Sequence, residues 1–553
     1  MKRKKILSIV LTTVMMFSLV SCSNSGGEAT NNAGENNSEK VVVTTEPFID
    51  DEGFTQNITL DSDGSINVFA FNEGQNYKKV IDKFESVTKD TLKTKINFQF
   101  ASNIKEEAPL KLAAKEDIDL IFDAGWVNMD NNIKANMYTD LTSYFNNPDY
   151  PGLQKAFPAE VLDSLKYTDG KIYGIPYYGN YNSLLCMYIR GDWREKYGLP
   201  EVTDDETFKL YLDTIQEHAE ELNIVSSMGL GDRGYFYFLE EQPSLANEGI
   251  FEVSGTGARV TQNMFVLMNE DRTEVVDAGM IGDLGHDYSA WPDGKNPFNE
   301  IALELGNEWG QYANSDAITA TTPAKDKFVN GLYGAIESDI WSYTDIAARL
   351  AEYDPNAKLE YYPYEEVVRN KEENYMGPNI SNNYMFVPYY CDDVDRVMAV
   401  VDWVFASQEN FDLWCYGIEG DDWEAVSDKT YKVIADNDDP YSFPTYVWAS
   451  SALYQRIDAN CPEEIVEYFE YGEDVNNFRE HPFSGFSFDK TNISLEYTAL
   501  NTLQEDYYHQ FMLGSFGEDT EAKIKEFSDA AQGYQDTLRE EVIKQVNEFI
   551  KNK

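Results

Sequence analysis

Short apolar runs alternate with amphipathic stretches from residue 65 onward. The runs predict strands over Ser65–Phe71, Lys93–Phe100 and Ile118–Phe122. The stretches between them carry apolar residues at helical spacing, which predicts helices over Tyr77–Leu92 and Glu106–Lys115. This βαβαβ order predicts a mostly parallel sheet with right-handed crossovers.

The same alternation continues through the rest of the chain. Thr203–Glu206 fits a capping box, which predicts a helix that runs to about Leu222. Further predicted elements are strands over Leu184–Arg190 and Leu332–Glu337 and helices over Asp393–Ala406 and Lys523–Lys551. The chain is therefore predicted to be an α/β protein.

Polar and aromatic residues follow the predicted strands. Open α/β sheets bind their ligands beyond the carboxyl ends of the strands. Asn72 and Glu73 follow the first strand, and Asp123 and Trp126 follow the third. We expect these four residues to face a ligand. The alternative is that Glu73 is a helix-terminal charge and that Trp126 is a packed residue.

The segment Asp169–Asn180 has the form of a chain crossing between two lobes. A turn opens a short strand, and Pro176 ends it. The aromatic and amide residues that follow would reach a ligand gripped from both sides, which makes Tyr177, Tyr178 and Asn180 candidates. The alternative is that the tyrosines only pack the crossing.

The predicted strand Leu332–Glu337 carries two further candidates just past its carboxyl end. Asp339 offers a carboxylate to a hydroxyl group, and Trp341 offers a ring on which a sugar would stack. The alternative is that Trp341 packs inside the lobe as core.

The first residues have the anatomy of a secretory signal. A basic cluster, Lys2–Lys5, precedes a mostly apolar run, Ile6–Val20, and the small residue Ser21 is followed by Cys22 and a polar tract. The run is shorter than the about 20 apolar residues that span a bilayer. Leu19–Cys22 resembles the lipobox of bacterial lipoproteins, which implies a lipid on the cysteine. The alternative is an ordinary secretory signal with an incidental cysteine.

The tract after Cys22 predicts a flexible tether. Ser23–Lys40 contains no large apolar residue and cannot bury enough surface to fold. By the scaling of Gly/Ser-rich chains, about 30 such residues hold the folded body on the order of 30 Å from the anchor. The predicted division is a signal peptide over 1–21 and a lipid-anchored tether over 22–60.

The net charge and the amino-acid composition limit the kinds of molecule that this protein is expected to bind. The 97 acidic residues outnumber the 44 basic ones and give a net charge of −53. A field of this sign repels phosphate backbones and anionic lipids, so nucleic acid is excluded and the ligand is not expected to be strongly anionic. Most of the 37 Tyr, 31 Phe and 9 Trp residues are expected to pack in the hydrophobic core or at its rim. A surplus of Tyr and Trp is also what a carbohydrate-binding cleft requires.

Neither the cysteines nor any motif indicates a cofactor or a metal. Cys186, Cys391, Cys415 and Cys461 are widely spaced without a CxxC pair, and either buried thiols or one or two disulfide bridges fit them. Asp61–Ser65 begins like a calcium loop but lacks the later ligands, including the closing Glu. We therefore predict no cofactor and no metal site.

Five elements of the sequence, in this order, resemble extracellular solute-binding lipoproteins of bacterial ABC importers, specifically the large oligosaccharide-binding type of Gram-positive bacteria. They are Leu19–Cys22, Asp119–Trp126, Asp169–Pro176, Gly334–Trp341 and Tyr416–Gly420. The resemblance implies a type II periplasmic-binding-protein-like fold with two α/β lobes joined by hinge strands. Residues 61–175 and 315–390 would form the first lobe, and residues 176–314 and 391–553 the second.

The resemblance also implies a function. A monomer, held at the extracellular face of the cell membrane by the lipid on Cys22, would capture a carbohydrate between its lobes. It would deliver this ligand, an oligosaccharide by type, to the permease subunits of the importer. In the second lobe the candidates are aromatic residues in loops punctuated by Gly or Pro: Tyr235, Phe236, Tyr288, Trp291, Tyr446 and Trp448.

A secreted carbohydrate-active enzyme, a hydrolase or a lyase, is the alternative. Such an enzyme also carries many aromatic residues, and three acidic groups could supply catalytic carboxylates: Asp421-Asp422, Asp436–Asp439 and Glu463-Glu464. Acidic pairs are expected by chance in so acidic a chain, which lacks HExxH, GxSxG, Walker and dinucleotide motifs. We therefore predict a binding protein and not an enzyme.

The lipid anchor can be tested by fractionation. Cys22→Ser removes the site for the lipid, so this variant should be released in soluble form while the wild-type protein stays with the membrane. Ser25→Ala, which keeps the cysteine, is the matched control. A Cys22→Ser variant that stays membrane-bound after a salt and carbonate wash would contradict the lipid-anchor hypothesis.

Overall fold

The computed structural model describes residues 42–167, 169–179, 181, 184–229, 242–257, 262–304, 309–313, 323–376, 381, 383–434, 441–442, 451–512 and 516–553. The predicted signal, Cys22 and the tract Ser23–Lys40 lie outside these residues. Five of the predicted ligand-facing residues also lie outside them: Asn180, Tyr235, Phe236, Tyr446 and Trp448.

The strands are numbered in chain order. They are β1 (Val42–Ile49), β2 (Thr55–Thr59), β3 (Gly64–Phe71), β4 (Thr94–Ala101), β5 (Leu120–Asp123), β6 (Gly174–Pro176), β7 (Leu185–Arg190), β8 (Ser226–Gly229), β9 (Ile250–Val253), β10 (Met264–Met268), β11 (Val275–Gly279), β12 (Tyr333–Asp339), β13 (Leu359–Tyr362), β14 (Asn374–Tyr375), β15 (Tyr384–Phe386), β16 (Trp423–Ala425), β17 (Thr430–Val433), β18 (Ile457–Asp458) and β19 (Phe478–Arg479).

The helices are numbered in the same way. They are α1 (Tyr77–Val87), α2 (Ile104–Ala114), α3 (Met129–Lys134), α4 (Thr142–Phe145), α5 (Pro151–Ala156), α6 (Ala159–Ser164), α7 (Gly191–Lys196), α8 (Asp205–Glu217), α9 (Ala219–Leu222), α10 (Gln242–Asn247), α11 (Pro297–Glu304), α12 (Ala324–Val329), α13 (Tyr343–Tyr353), α14 (Glu366–Arg369), α15 (Val394–Val404), α16 (Gln408–Tyr416), α17 (Glu463–Glu473), α18 (Ser494–Met512) and α19 (Thr520–Asn552).

The first sheet has the strand order β4-β3-β5-β15-β6. β3 pairs in parallel with β4 and with β5, which confirms the βαβαβ opening predicted from the sequence. Three successive residues of β3, Val68, Phe69 and Ala70, are buried. Both faces of the sheet are therefore covered, which explains why the sequence shows an unbroken apolar run here.

β15 enters this sheet from a distant part of the chain. Tyr384 lies opposite Asp123 of β5 on one side and opposite Pro176 of β6 on the other, and both pairings are antiparallel. A strand of three residues thus joins β6 to the rest of the sheet. The sequence pattern does not predict β15, because so short an apolar run cannot be told from a loop.

The second sheet has the strand order β13-β7-β12-β8. All six residues of β7 are buried, and β12 pairs with it antiparallel, with Asp339 opposite Leu185. β8 lies parallel to β12 on the other side. The predicted strands Leu184–Arg190 and Leu332–Glu337 are therefore confirmed as neighbours in one sheet.

Sheet membership corrects the predicted lobe boundaries. The sequence assigns residues 315–390 to the first lobe, but β12 and β13 within this range belong to the second sheet. Helix α15, expected in the second lobe, packs against elements of the first: the ring of Trp403 lies 5.8 Å from that of Phe54 and 5.0 Å from that of Phe84. The sequence pattern reveals that a strand exists but not which sheet it joins.

The folded part of the chain also begins earlier than predicted. The predicted tether extends to residue 60, but β1 and β2 pair antiparallel within it, and Phe54, Ile58 and Leu60 are buried. The side-chain amide of Asn410 accepts a hydrogen bond from the Thr55 nitrogen at 2.8 Å and donates one to its carbonyl oxygen at 2.9 Å. Residues 42–60 are therefore part of the folded body.

The predicted capping box is displaced by one residue. The N-cap of α8 is Asp204, whose carboxylate accepts a hydrogen bond from the Thr207 nitrogen at 2.8 Å. The Thr207 hydroxyl in turn accepts one from the Asp204 nitrogen at 3.1 Å. The box is thus formed by Asp204 and Thr207 rather than by Thr203 and Glu206.

Strands β9 to β11 and the last two helices share a separate hydrophobic core, the C-terminal unit. β11 lies at one edge of the antiparallel sheet β11-β10-β9. Leu538, Val542 and Val546 recur at helical spacing on α19 and are buried. The predicted terminal helix Lys523–Lys551 is confirmed as part of α19.

Two side chains of α19 fasten it to β11 and to the loop that follows. The amide of Asn547 accepts a hydrogen bond from the Val275 nitrogen at 2.8 Å and donates one to the Val275 carbonyl oxygen at 3.0 Å. Arg539 donates to the Ala278 carbonyl oxygen at 2.8 Å and forms an ion pair with the fully buried carboxylate of Asp283.

The four described cysteines, Cys186, Cys391, Cys415 and Cys461, are unpaired thiols. Burial raises the pKa of Cys461 to about 12 and that of Cys186 well above its ordinary value, so these thiols are not poised to react. Among the described residues, no helix combines the length and the apolar character that crossing a membrane requires.

The Arg539–Asp283 pair predicts a measurable effect on stability. Arg539→Leu should destabilise the C-terminal unit by about 3–5 kcal/mol, because the Asp283 carboxylate would stay buried without a counter-charge. Lys525→Leu is the matched control, since it removes an exposed ion pair with Asp529 on the same helix and should cost below about 1 kcal/mol. Denaturant unfolding followed by circular dichroism compares them. If the two variants lost the same free energy of unfolding, the buried Arg539–Asp283 pair would not be a major source of stability.

Candidate functional site

Four strands of the first sheet end at the same edge, which we call the first edge, and one of them is β4, which ends at Ala101 opposite Phe71 of β3. β3 ends at Phe71, β5 at Asp123 and β6 at Pro176, and β15 begins there, since Tyr384 lies opposite the ends of both β5 and β6. Ligands of open α/β sheets bind at this kind of edge. The loops after these strands therefore form the first part of the candidate site.

Trp126 is an exposed ring at the first edge, with 43% of its surface accessible. Its indole nitrogen Nε1 donates a hydrogen bond to Asn383 Oδ1 at 2.9 Å. The rings of Phe71 and Phe122 each lie 5.8 Å from the indole ring, and Lys105 Nζ lies 5.5 Å from its centroid. A ring that is supported by other rings and by a hydrogen bond, yet open to solvent, suits stacking with a sugar ring.

Asp123 does not face solvent at the first edge, contrary to the prediction. It is fully buried, and its carboxylate accepts hydrogen bonds from four donors, Ala124 N at 2.7 Å, Asn128 N at 3.0 Å, Asn132 Nδ2 at 2.8 Å and Tyr138 OH at 2.5 Å. Burial raises the pKa of Asp123, and the hydrogen bonds oppose this shift. Asp123 therefore supports the loop that carries Trp126 and leaves no side-chain surface for a ligand.

The loop after β3 exposes both of its predicted residues, Asn72 and Glu73. Asn72 adopts a left-handed backbone with φ of 56°, which Asn tolerates better than most residues. Burial and the nearby Glu73 carboxylate raise the pKa of Tyr77. The main chain of Gln75 exchanges two hydrogen bonds of 3.1 Å with Ser442. Hydrogen bonds thus hold the loop at Gln75, while the exposed side chains of Asn72 and Glu73 remain candidates for contact with a ligand.

The crossing after β6 separates its two tyrosines. Tyr177 is half-buried, and its main-chain nitrogen donates to the Asn383 carbonyl oxygen at 3.0 Å. Tyr178 is buried, with its hydroxyl 3.0 Å from that of Tyr181. Tyr178 is therefore core packing rather than a ligand contact, which corrects the prediction, and Asn180 lies outside the described residues.

The second edge is formed by the carboxyl end of β12 and the amino end of β7. Asp339 is half-buried there, and its carboxylate accepts a hydrogen bond from the Ser342 nitrogen at 3.0 Å, so it caps the short helical turn Ile340–Ser342. Trp341 is half-buried, and its ring lies 4.1 Å from that of Phe469 on α17. Part of the Trp341 ring is thus used in packing, and its stacking role stays a prediction.

The second-lobe aromatics that the structure describes are buried. The Tyr288 hydroxyl donates to Asp283 at 3.0 Å, and the Trp291 indole donates to Asp277 at 2.7 Å. Both side chains pack in one apolar cluster, so the prediction that they face a ligand is wrong for this structure. The other candidates lie outside the described residues: Tyr235, Phe236, Tyr446 and Trp448.

Sequence comparisons describe only the end of the chain. A family model described as a domain of unknown function, DUF3502, matches residues 482–551. This range includes α18 and most of α19. No curated protein matches the sequence.

Comparisons of structure cover most of the chain. The N-glycan transport solute binding protein NgtS of Streptococcus pneumoniae is 17% identical with a TM-score of 0.65, covering 88% of this chain and 99% of its own. An HMO binding, ABC-transporter associated solute binding protein of Bifidobacterium longum infantis is 12% identical with a TM-score of 0.56, covering 89% and 99%. The ABC-transporter substrate binding protein FusA of S. pneumoniae, in complex with kestose, is 12% identical with a TM-score of 0.54, covering 88% and 100%.

The chain has the solute-binding-protein fold. The two-lobed α/β architecture predicted from the sequence is thereby confirmed. Within this fold, the chain passes from β6 of the first sheet to β7 of the second, and from β13 of the second sheet, by way of β14, to β15 of the first.

Sequence reasoning missed Asn383, which lies between Trp126 and Tyr177 at the first edge of the solute-binding fold. Its only signal in the sequence is its position immediately before a three-residue apolar run. It also missed Lys105, whose ammonium group lies over the Trp126 ring. Neither residue belongs to a recognisable motif, because both reach the site through tertiary contacts.

In each described acidic pair nominated for an enzyme, at least one member makes a contact within the protein. Asp422 is buried, forms an ion pair with Lys79 and accepts a hydrogen bond from the Ile418 nitrogen at 2.8 Å. Glu464 accepts one from the Tyr361 hydroxyl at 2.8 Å. The third nominated group, Asp436–Asp439, lies outside the described residues. Within the parts of the chain that the structure describes, no group of three or more His, Cys, Asp or Glu side chains could hold a metal ion.

Asp123 is predicted to act on the stability of the Trp126 loop. Asp123→Ala would leave buried donors without an acceptor and should cost about 3 kcal/mol. Asp130→Ala, in the adjacent α3, removes a carboxylate that receives a long hydrogen bond of 3.4 Å from Tyr167 and should cost below about 1 kcal/mol. Thermal unfolding measures both variants. A fully stable Asp123→Ala protein would contradict the supporting role.

Proposed function

We propose that this protein is an extracellular solute-binding lipoprotein of an ABC importer that captures an oligosaccharide. The observation that carries the proposal is Trp126, an exposed ring fixed by a hydrogen bond at the ligand-binding edge of a solute-binding fold. A sugar presents C–H groups on its ring faces and hydroxyl groups at its rim. An aromatic ring with an amide and an ammonium group beside it can contact both kinds of group.

Polar groups at the two edges would bind the hydroxyl groups of the sugar. Asn72 and Glu73 are exposed on the loop after β3, and Tyr177 is half-buried on the crossing that leaves the first edge. Asp339 and Trp341 would approach from the second edge. Because these residues belong to two sheets, a ligand between them contacts both lobes and favours the arrangement in which both sets of contacts are made.

The ligand is expected to be neutral. The net charge of −53 disfavours an anionic ligand, and neutral hydroxyl groups can accept hydrogen bonds from amides and donate them to carboxylates. The names of three structural relatives mention N-glycans, HMO and kestose, which supports a carbohydrate ligand. The relatives also include an alginate-binding protein, so the expectation of a neutral ligand rests on the charge of this chain alone. Two further structures of NgtS hold Man1GlcNAc and Man5GlcNAc.

The location and partners of the protein belong to the same proposal. A lipid on Cys22 would hold a monomer at the outer face of the membrane, where it would pass its ligand to the permease subunits. The signal-like start and the cysteine support this placement. An enzyme is disfavoured because Asp422 is buried in an ion pair with Lys79, and Glu464 accepts a hydrogen bond from Tyr361.

The proposal predicts that Trp126→Ala weakens oligosaccharide binding while the protein stays folded. Truncating an aromatic anchor costs about 2 kcal/mol, or roughly thirtyfold in affinity. Tyr389→Ala is the matched control: its ring is 45% exposed but follows β15 at the opposite edge of the same sheet, so affinity should not change. Calorimetry with Man5GlcNAc, kestose and milk oligosaccharides, after a thermal-shift screen, measures both variants.

Three outcomes would contradict the proposal. The wild-type protein could bind no oligosaccharide in a broad panel, the two variants could lose affinity equally, or the sugar could be cleaved. Reducing ends or unsaturated products in stoichiometric excess over protein would assign the chain to the enzyme class instead.

A further inference from the structure

Asn383 lies where three segments of the first edge meet. Its side chain contacts the loop after β5 through Trp126, and its main chain contacts the crossing after β6 through Tyr177. The next residue, Tyr384, begins β15 and pairs with both β5 and β6. A substitution at Asn383 would therefore alter contacts with the loop after β5 and with the crossing after β6, next to the start of β15.

The main chain of Asn383 is fixed on both sides. Its carbonyl oxygen accepts hydrogen bonds from the Tyr177 nitrogen at 3.0 Å and from the Ser381 hydroxyl. Its nitrogen donates to Ser381 Oγ at 3.1 Å, and Ser381 is itself buried. The side chain thus extends from a main chain whose N–H and C=O are both hydrogen-bonded, which favours holding another group in a set orientation.

The chemistry of the indole fixes which way the amide faces. An indole nitrogen donates and cannot accept, so the atom 2.9 Å from Trp126 Nε1 must be the amide oxygen of Asn383. The NH2 group then lies on the other side of the amide. It donates to no residue in the part of the chain that the structure describes, and Asn383 is only half-buried.

We infer that Asn383 is a residue of the ligand site, which orients the Trp126 ring through its amide oxygen and presents its NH2 group to a hydroxyl of the stacked sugar. The inference rests on the proposed function for its second half only. One amide would thereby couple the stacking ring to hydrogen-bond recognition, so a sugar with a hydroxyl at the matching position would bind more tightly than its deoxy analogue.

Two substitutions separate the two roles. Asn383→Asp keeps an acceptor for the indole N–H but loses the donor, whereas Asn383→Leu loses both. Asn97→Leu is the matched control, since Asn97 is an exposed asparagine on β4 of the same sheet that bonds to Asn67. The indole resonances of 15N-tryptophan-labelled protein report on the ring without any ligand, and Trp126→Phe identifies the resonance concerned.

In the ligand-free protein, Asn383→Leu should shift the Trp126 indole resonance upfield and speed its hydrogen exchange. Asn383→Asp and Asn97→Leu should leave this resonance near its wild-type position. For the oligosaccharide bound by the wild type, Asn383→Asp should weaken affinity by about three- to tenfold, the effect of one hydrogen bond, and Asn383→Leu should weaken it further.

Each half of the inference has its own contradicting result. An unchanged indole resonance in Asn383→Leu would overturn the orienting role, and wild-type affinity in Asn383→Asp would overturn the contact with the sugar. A wild-type protein that binds no oligosaccharide would overturn that contact together with the proposed function, while the resonance would still decide the orienting role. Melting temperatures verify that each variant is folded. If Asn383→Leu fails to fold, Asn383→Asp, which keeps an acceptor for the indole N–H, still tests the contact with the sugar.

Discussion

The antiparallel pairing of β15 between β5 and β6 is the constraint on which the first edge depends. Without these three residues, β6 would have no partner in the first sheet as described. The crossing that starts at Tyr177 would then lack a fixed origin. The pairing also brings Asn383 beside Trp126, although 257 positions separate them in sequence. The arrangement of the site is thus a consequence of sheet assembly rather than of local structure.

Burial sorts the many aromatic and acidic residues into different roles. Rings such as Tyr178 and Trp291 are buried and serve the core, whereas Trp126 keeps one side open at the end of the sheet. The carboxylates divide in the same way. Asp123 accepts four hydrogen bonds from its surroundings, while Glu73, which follows a neighbouring strand, stays exposed. Residue type alone does not show whether a side chain supports the fold or is available to a ligand. The number of hydrogen bonds and packing contacts that it makes within the protein does.

The sequence predicted those features that local pattern determines. β3, β4 and β5 were predictable because buried parallel strands produce unbroken apolar runs. The loop after β5 was correctly identified as part of the edge, but pattern could not tell that Asp123 turns inward and Trp126 outward. Tyr177 and Tyr178 are neighbours in an extended segment, where successive side chains point to opposite sides. Tyr178 is the buried one and Tyr177 is half-buried, and nothing in the local sequence indicated which would be buried.

Long-range pairing set the limit of prediction. β15 is too short to produce a periodic signal, and its partners lie far away in sequence, so Asn383 could not be recognised as a site residue. The same reason explains the error in the lobe boundaries. β12 reads as a buried strand in any sheet, and only its pairing with β7 assigns it to the second one.

The bond between Asn547 and β11 has a consequence for the solubility of the chain. β11 is an edge strand, and an exposed edge offers its main-chain groups to the strands of other molecules. The Asn547 amide occupies both the N–H and the C=O of Val275, as a neighbouring strand would. The last helix therefore occupies, at Val275, the main-chain groups that a strand of another molecule would use for pairing. A chain cut short before this helix would expose the edge of β11 next to the apolar residues that α19 covers, and would be prone to aggregation.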